Sequence, residues 1–127
     1  MTRAILDVKV DIKAFADQWI SDWNRKDVEA VLAHFSETVV FTSVRAKAVM
    51  GLPRLEGKPR PREYWSAAIV QIQTIRFTLD YVIGDGNRVG IVYNAEIDGK
   101  RTRAVEFLTF GEDGLVRKGE AMYGIEF

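Results

Sequence analysis

Arg101–Phe127, RTRAVEFLTFGEDGLVRKGEAMYGIEF, is the stretch that decides how the rest of the chain must fold. Two extended runs flank Glu112-Asp113-Gly114, a turn whose glycine tolerates a left-handed backbone, so the stretch reads as a long antiparallel hairpin. Glu106 sits mid-strand between Val105 and Phe107, close to Leu108 and Phe110. A carboxylate in so apolar a strand either points to water or lies in a pocket that alters its chemistry.

Upstream of the hairpin the period of two continues back to Ile75. Ile75–Ile83, Arg88–Ile97, Arg101–Phe110 and Leu115–Ile125 read as four long strands, separated by Gly84-Asp85-Gly86-Asn87, Asp98-Gly99 and Glu112-Asp113-Gly114. Two-residue turns at Asp85-Gly86 and Asp98-Gly99 predict Asp80 opposite Ile91, Ile91 opposite Glu106, and Tyr93 opposite Ala104. A three-residue loop at Glu112–Gly114 predicts Glu106 opposite Glu120. One face then carries Asp80, Ile91, Tyr93, Glu106, Leu108, Phe110 and, if that register holds, Glu120. The other carries Leu79, Tyr81, Val92, Val105 and Phe107.

The first half of the chain is helical. Ile12, Phe15, Ala16, Trp19, Ile20 and Trp23 form one stripe of an amphipathic helix, with Asp11 as N-cap. Asn24-Arg25-Lys26 breaks the pattern, and Asp27 caps a second helix with the stripe Val28, Val31, Leu32 and Phe35. Thr38–Ser43 (TVVFTS) is β-branched and reads as a strand. The stretch from Val44 to Pro61 holds two glycines and three prolines and reads as a long loop. A third helix follows, with Pro61 in its first turn and Trp65, Ala68, Ile69 and Ile72 as its stripe. Helices followed by a meander of strands give an α+β domain, with the helices packed on one face of the sheet.

Both sheet faces are apolar, and three short helices can cover only one. The other face is expected to pair with a second copy, giving a homodimer. At 127 residues the chain reads as one domain able to bury its own core. Eighteen basic and eighteen acidic residues cancel, so no global field favours nucleic acid or an anionic membrane. The absence of cysteine excludes disulfides and thiolate chemistry and fits a reducing cytoplasm. The opening MTRAILDVKVDI lacks the apolar core of a signal peptide, and no apolar run approaches the length of a membrane span. The chain is expected to be soluble and cytoplasmic.

The runs FADQWISDWNRKDVEAVLAHFSETVVFTS, REYWSAAI and VEFLTFGEDGLVRKGEAMYG resemble the nuclear transport factor 2-like superfamily, most closely its SnoaL-like and ketosteroid-isomerase-like branch. The resemblance spans nearly the whole chain. It implies a cone-shaped, curved antiparallel sheet wrapped around the three N-terminal helices and enclosing a pocket. Members include isomerases, dehydratases and polyketide cyclases. The ketosteroid isomerases carry a general-base Asp, two pocket tyrosines and a buried Asp, at positions matched here by Ser43, Trp19, Trp65 and Glu106. The base and both phenols are therefore missing, while the buried acid survives as Glu. A serine without a neighbouring base cannot take a proton from carbon, and an indole N–H is a weaker acid than a phenol. The resemblance also implies that Gly119, Ala121 and Tyr123 face the pocket, which the turn-derived register contradicts unless a β-bulge interrupts the last strand.

These residues define the candidate site. Glu106 is the acid or ligand-orienting group. Trp19, Trp65, Tyr93, Tyr123, Ser43 and His34 are the candidate ligand contacts, with Asp80 as a second carboxylate. Trp19 and Trp65 also lie on core stripes, and His34 sits beside one, where a helix-end role competes. Lys58, Arg60 and Arg62 read as a solvated basic run. One histidine and scattered carboxylates form no metal motif, and no cofactor fingerprint is present. Three functions compete. The first is binding of a small apolar or aromatic molecule with Glu106 as polar anchor. The second is an isomerase, dehydratase or cyclase using Glu106 as general acid/base, assisted by Asp80, Tyr93, His34 or Tyr123. The third is a non-catalytic assembly module built on the outer sheet face.

Overall fold

The computed structural model describes residues 11–127. Residues 1–10, most of the stretch read as lacking a signal peptide, lie outside it. Helix α1 (Ile12–Asn24) begins where the Asp11 carboxylate accepts the Ala14 N–H at 3.0 Å. It buries Ala16, Trp19, Ile20 and Trp23. Its end is pinned: the Asn24 side chain accepts the Phe77 N–H at 2.7 Å and donates to the Phe77 carbonyl at 3.0 Å. Asp27 caps the short α2 (Val28–Leu32) in the same way as Asp11, accepting the Ala30 N–H.

Strand β1 (Phe35–Ser43) starts three residues earlier than its β-branched run suggests. Phe35 belongs to it because parallel pairing with Val116 overrides the helical stripe. The expected loop from Val44 to Pro61 is replaced by structure: helix α3 (Val44–Met50), strand β2 (Arg54–Glu56) and the start of α4 (Pro59–Gln71). The seven residues of α3 contain no Gly or Pro and bury only Ala46, so they show no helical stripe. Capping defines this helix instead. Ser43 Oγ accepts the Arg45 N–H at 3.2 Å, and Gly51 closes the last turn at φ 81°. The described residues thus hold four helices rather than three.

The remaining strands are β3 (Ile75–Asp85), β4 (Arg88–Ile97), β5 (Lys100–Phe110) and β6 (Val116–Glu126). They join β1 and β2 in one curved, open sheet of order β2-β1-β6-β5-β4-β3. All neighbours are antiparallel except β1 and β6, which run parallel. Ile91–Glu106 and Tyr93–Ala104 pair as the turn chemistry predicts. Two expectations are corrected. The β3–β4 turn uses Gly86-Asn87, with Asp85 opposite Arg88, and a bulge at Asp80 then turns Leu79 inward. In β6 the pairing of Phe110 with Val116 fits the expected loop, but a bulge shifts Thr109 opposite Lys118. Glu106 therefore lies opposite Ala121, and Glu120, opposite Phe107, is exposed on the outer face.

The inner face of the sheet meets the helices. Trp19, Trp23, Phe35, Phe41, Ile91, Tyr93, Leu108 and Val116 are all buried there in one apolar core. The outer face leaves Tyr81, Ile83, Phe107 and Met122 exposed.

Candidate functional site

The core is not filled to the end of the sheet. A cavity of about 370 Å³ remains between α1, α3, α4 and the concave face of β3–β6, within the size range of small-molecule pockets. Its walls are aromatic: Trp19, Trp23, Trp65, Phe41, Phe77 and Tyr93. Trp23–Trp65 and Trp19–Tyr93 meet edge to face with centroids both 5.2 Å apart, at 89° and 69°, and Phe77 lies tilted against Trp19, Trp23 and Tyr93. Trp19 and Trp23 follow from the helical period of α1, and Trp65 from that of α4. Thus two helices and three strands converge on one space.

Glu106 projects into this cavity from the middle of β5. It is 4% exposed, and among the described residues no side chain or backbone group hydrogen-bonds or ion-pairs with it. Burial alone raises its pKa from 4.5 to about 8. The Ile91, Glu106 and Ala121 positions form one row across the sheet that ends at Ser43 on β1. The adjoining row brings Tyr93 and Tyr123 to either side of Ala104. Burial, then the Glu106 carboxylate, push the Tyr93 phenol well above its ordinary value. The same two causes push Tyr123 up to about 12. Tyr64 on α4 is raised mainly by burial, while the Ser43 hydroxyl and Arg45 work in the opposite direction. The floor of the cavity is therefore a neutral acid among neutral phenols near pH 7.

Of the candidates, the structure brings Glu106, Trp19, Trp65, Tyr93 and Tyr123 together around the cavity. Three lie elsewhere. Asp80 is exposed on the outer face, where its carboxylate binds the Arg103 guanidinium, because the bulge in β3 turns it outward. His34 packs edge-on against Phe15, places Nε2 3.7 Å from the buried Asp22 carboxylate, and does not line the cavity. Ser43 is buried beside Tyr64 and Tyr123, but its hydroxyl caps α3 and it does not line the cavity. Within the basic run, Arg62 pairs with Glu29 at 2.9 Å and Lys58 with Glu37 at 3.6 Å. Among the described residues no group of three His, Cys, Asp or Glu side chains could hold a metal ion.

Sequence reasoning missed Tyr64 and Arg45. Tyr64 stands next to Trp65, off the stripe used to find the helix. Arg45 lies in the segment taken for a loop, and only its proximity to the end of β1 hinted at the pocket. A second, wider groove on the outer face, between β2 and the β3–β4 turn, is lined by Arg54, Arg88 and Arg117 and contains no buried ionisable group.

A pocket closed by helices on a curved sheet matches the resemblance drawn from the sequence, and a direct comparison decides it. The family model of the SnoaL-like domain matches residues 16–118. The chain belongs to the SnoaL-like family. Its fold is similar to that of a SnoaL-like protein of unknown function from Burkholderia thailandensis E264, with 28% identity over 90% of this chain and 94% of that one, and a TM-score of 0.81. A putative ketosteroid isomerase from Kribbella flavida DSM 17836 shares the fold at 18% identity, over 90% of this chain and 78% of that one, with a TM-score of 0.69. So does TerC, co-crystallised with polyporic acid, at 17% identity over 84% and 86% of the two chains and a TM-score of 0.71. No curated protein matches the chain. No helix among the described residues is long and apolar enough to cross a membrane.

Proposed function

We propose that this SnoaL-like protein binds a small, flat, largely apolar molecule in the aromatic cavity and anchors it through the neutral carboxyl of Glu106. One observation carries the reading: Glu106 is buried in the cavity wall with no protein partner among the described residues. An unpaired buried polar group is costly unless something satisfies it, and a ligand carbonyl accepting its proton would do so. The aromatic walls suit a planar ring, and the modest volume suits a molecule of two or three fused rings. The neighbour crystallised with polyporic acid supports the same use of the fold.

Tryptophan fluorescence tests this reading cleanly, because Trp19, Trp23 and Trp65 are the chain's three tryptophans and all line the cavity. 2-Acetylnaphthalene, flat and with one carbonyl, should perturb that emission saturably. Ala68→Phe, which fills the cavity mouth, should abolish the effect while leaving the fold intact. Saturable binding that survives Ala68→Phe would place the ligand elsewhere and refute the proposal.

A second reading, turnover of isomerase, dehydratase or cyclase type, is favoured by the pKa of Glu106. A carboxyl near 8 is poised to give and take a proton near neutral pH. On that reading Glu106 is the acid/base and the Tyr93 and Tyr123 phenols assist. Loss of turnover in Glu106→Gln with ligand affinity retained is its signature. We also propose that the exposed outer-face residues Tyr81, Ile83, Phe107 and Met122 pack against a second copy in a homodimer.

A further inference from the structure

We infer that the ligand is a flat aromatic monoanion, whose negative group Arg45 holds at the cavity mouth while its far end meets Glu106. This rests on the cavity reading above and adds the chemical class. Arg45 lies on α3, the helix that forms one lip of the cavity, with Val49 one turn further along the same lip. Its guanidinium stacks on the Tyr123 ring at 3.7 Å from the centroid. This contact fixes the plane of the fork without using its N–H donors. Among the described residues no carboxylate pairs with Arg45, and its side chain donates no hydrogen bond.

Arg45 and Glu106 are the two residues lining the cavity that can carry full charge near neutral pH. They do not pair: among the described residues no ion pair or hydrogen bond joins them, and Arg45 is exposed whereas Glu106 is buried. The cation and the acid therefore stand apart, one at the mouth and one deep in the wall. With Glu106 protonated, the lining of the cavity carries one formal charge, that of Arg45. A carboxylate, enolate or phenolate on a planar ring completes it, meeting the open donor fork of Arg45 in a bidentate or charge-assisted contact. The hydrogen-bond acceptor at the other end of the same ring system then accepts from Glu106.

Isothermal titration calorimetry with 6-acetyl-2-naphthoate and its neutral analogue 6-acetyl-2-naphthamide tests this at pH 7. Wild type should bind the carboxylate about tenfold or more tighter than the amide. Arg45→Gln should erase that preference, bringing the two affinities together. Because Arg45 is solvent-exposed, the variant is expected to fold, and Arg45→Lys should restore the preference in part. Equal affinities in wild type, or a preference that survives Arg45→Gln, would overturn the inference. Amide binding that Ala68→Phe blocks would show in that case that the cavity reading still stands. Failure of both compounds to bind would overturn the two together.

Discussion

Replacing Glu106 by Gln should stabilise the protein, and by an amount that depends on pH. The carboxyl has an ordinary pKa of 4.5 and a folded value of about 8, raised by burial. An acid raised on folding binds more protons in the native state than in the unfolded one. Stability therefore falls as pH rises above the unfolded value, and the loss is complete once pH exceeds the folded one. Linkage at about 1.4 kcal/mol for each pH unit gives a wild-type penalty of roughly 3 kcal/mol at pH 7, approaching 5 kcal/mol above pH 9 and vanishing below pH 4. Glutamine keeps the shape and one neutral donor but cannot ionise. Guanidinium unfolding of wild type and Glu106→Gln at pH 4, 7 and 9 should show matching stabilities at pH 4 and a growing advantage for the variant above it. A variant less stable at pH 7 would mean that Glu106 is held by a favourable charge partner, and the account of the cavity floor would be refuted.

Phe107→Glu puts a charge on the outer face, where Phe107 is 42% exposed, and should leave the monomer folded. Sedimentation equilibrium at micromolar concentration should then give 14.4 kDa, against twice that for wild type. A monomeric wild type would remove the dimer. Gly51→Ala should cost about 1 kcal/mol in chemical denaturation, since φ 81° strains any residue with a Cβ even though nothing blocks the space. Unsaturated ketosteroids should show no isomerisation above background. Ser43→Asp should not create it, because that side chain caps α3 instead of entering the cavity. Robust turnover by wild type that Glu106→Gln removes would favour the acid/base reading of Glu106 over simple binding.

The fold was legible wherever the pattern was periodic or the turn was tight. Asp11 and Asp27 announce their helices through capping, and the Asp98-Gly99 turn sets the Tyr93–Ala104 and Ile91–Glu106 pairs correctly. Bulges are not legible in the same way. They add one residue without disturbing the alternation on either side, so Asp80 was placed on the wrong face, and in the last strand only the family resemblance, which put Tyr123 in the pocket, pointed to the bulge that turns Glu120 outward. Helix α3 escaped notice because it buries one residue and takes its definition from its two ends. Its loss from the reading concealed Arg45 and with it half the polarity of the site. The aromatic walls and Glu106 were visible because long-range core packing and the cavity draw on the same stripes. His34 was singled out by its rarity alone, and rarity carries no information about location.

The protonation state of Glu106 is the most direct test of the central claim. In protein carrying ¹³C-labelled glutamate, the Glu106 carboxyl resonance, assigned by its loss in Glu106→Gln, can be followed from pH 4 to pH 10 with and without 2-acetylnaphthalene. The structure predicts a single step near pH 8 that moves higher when the ligand is present, since a carbonyl accepting the carboxyl proton favours the neutral form. A step near 4.5 that the ligand leaves unmoved would contradict it.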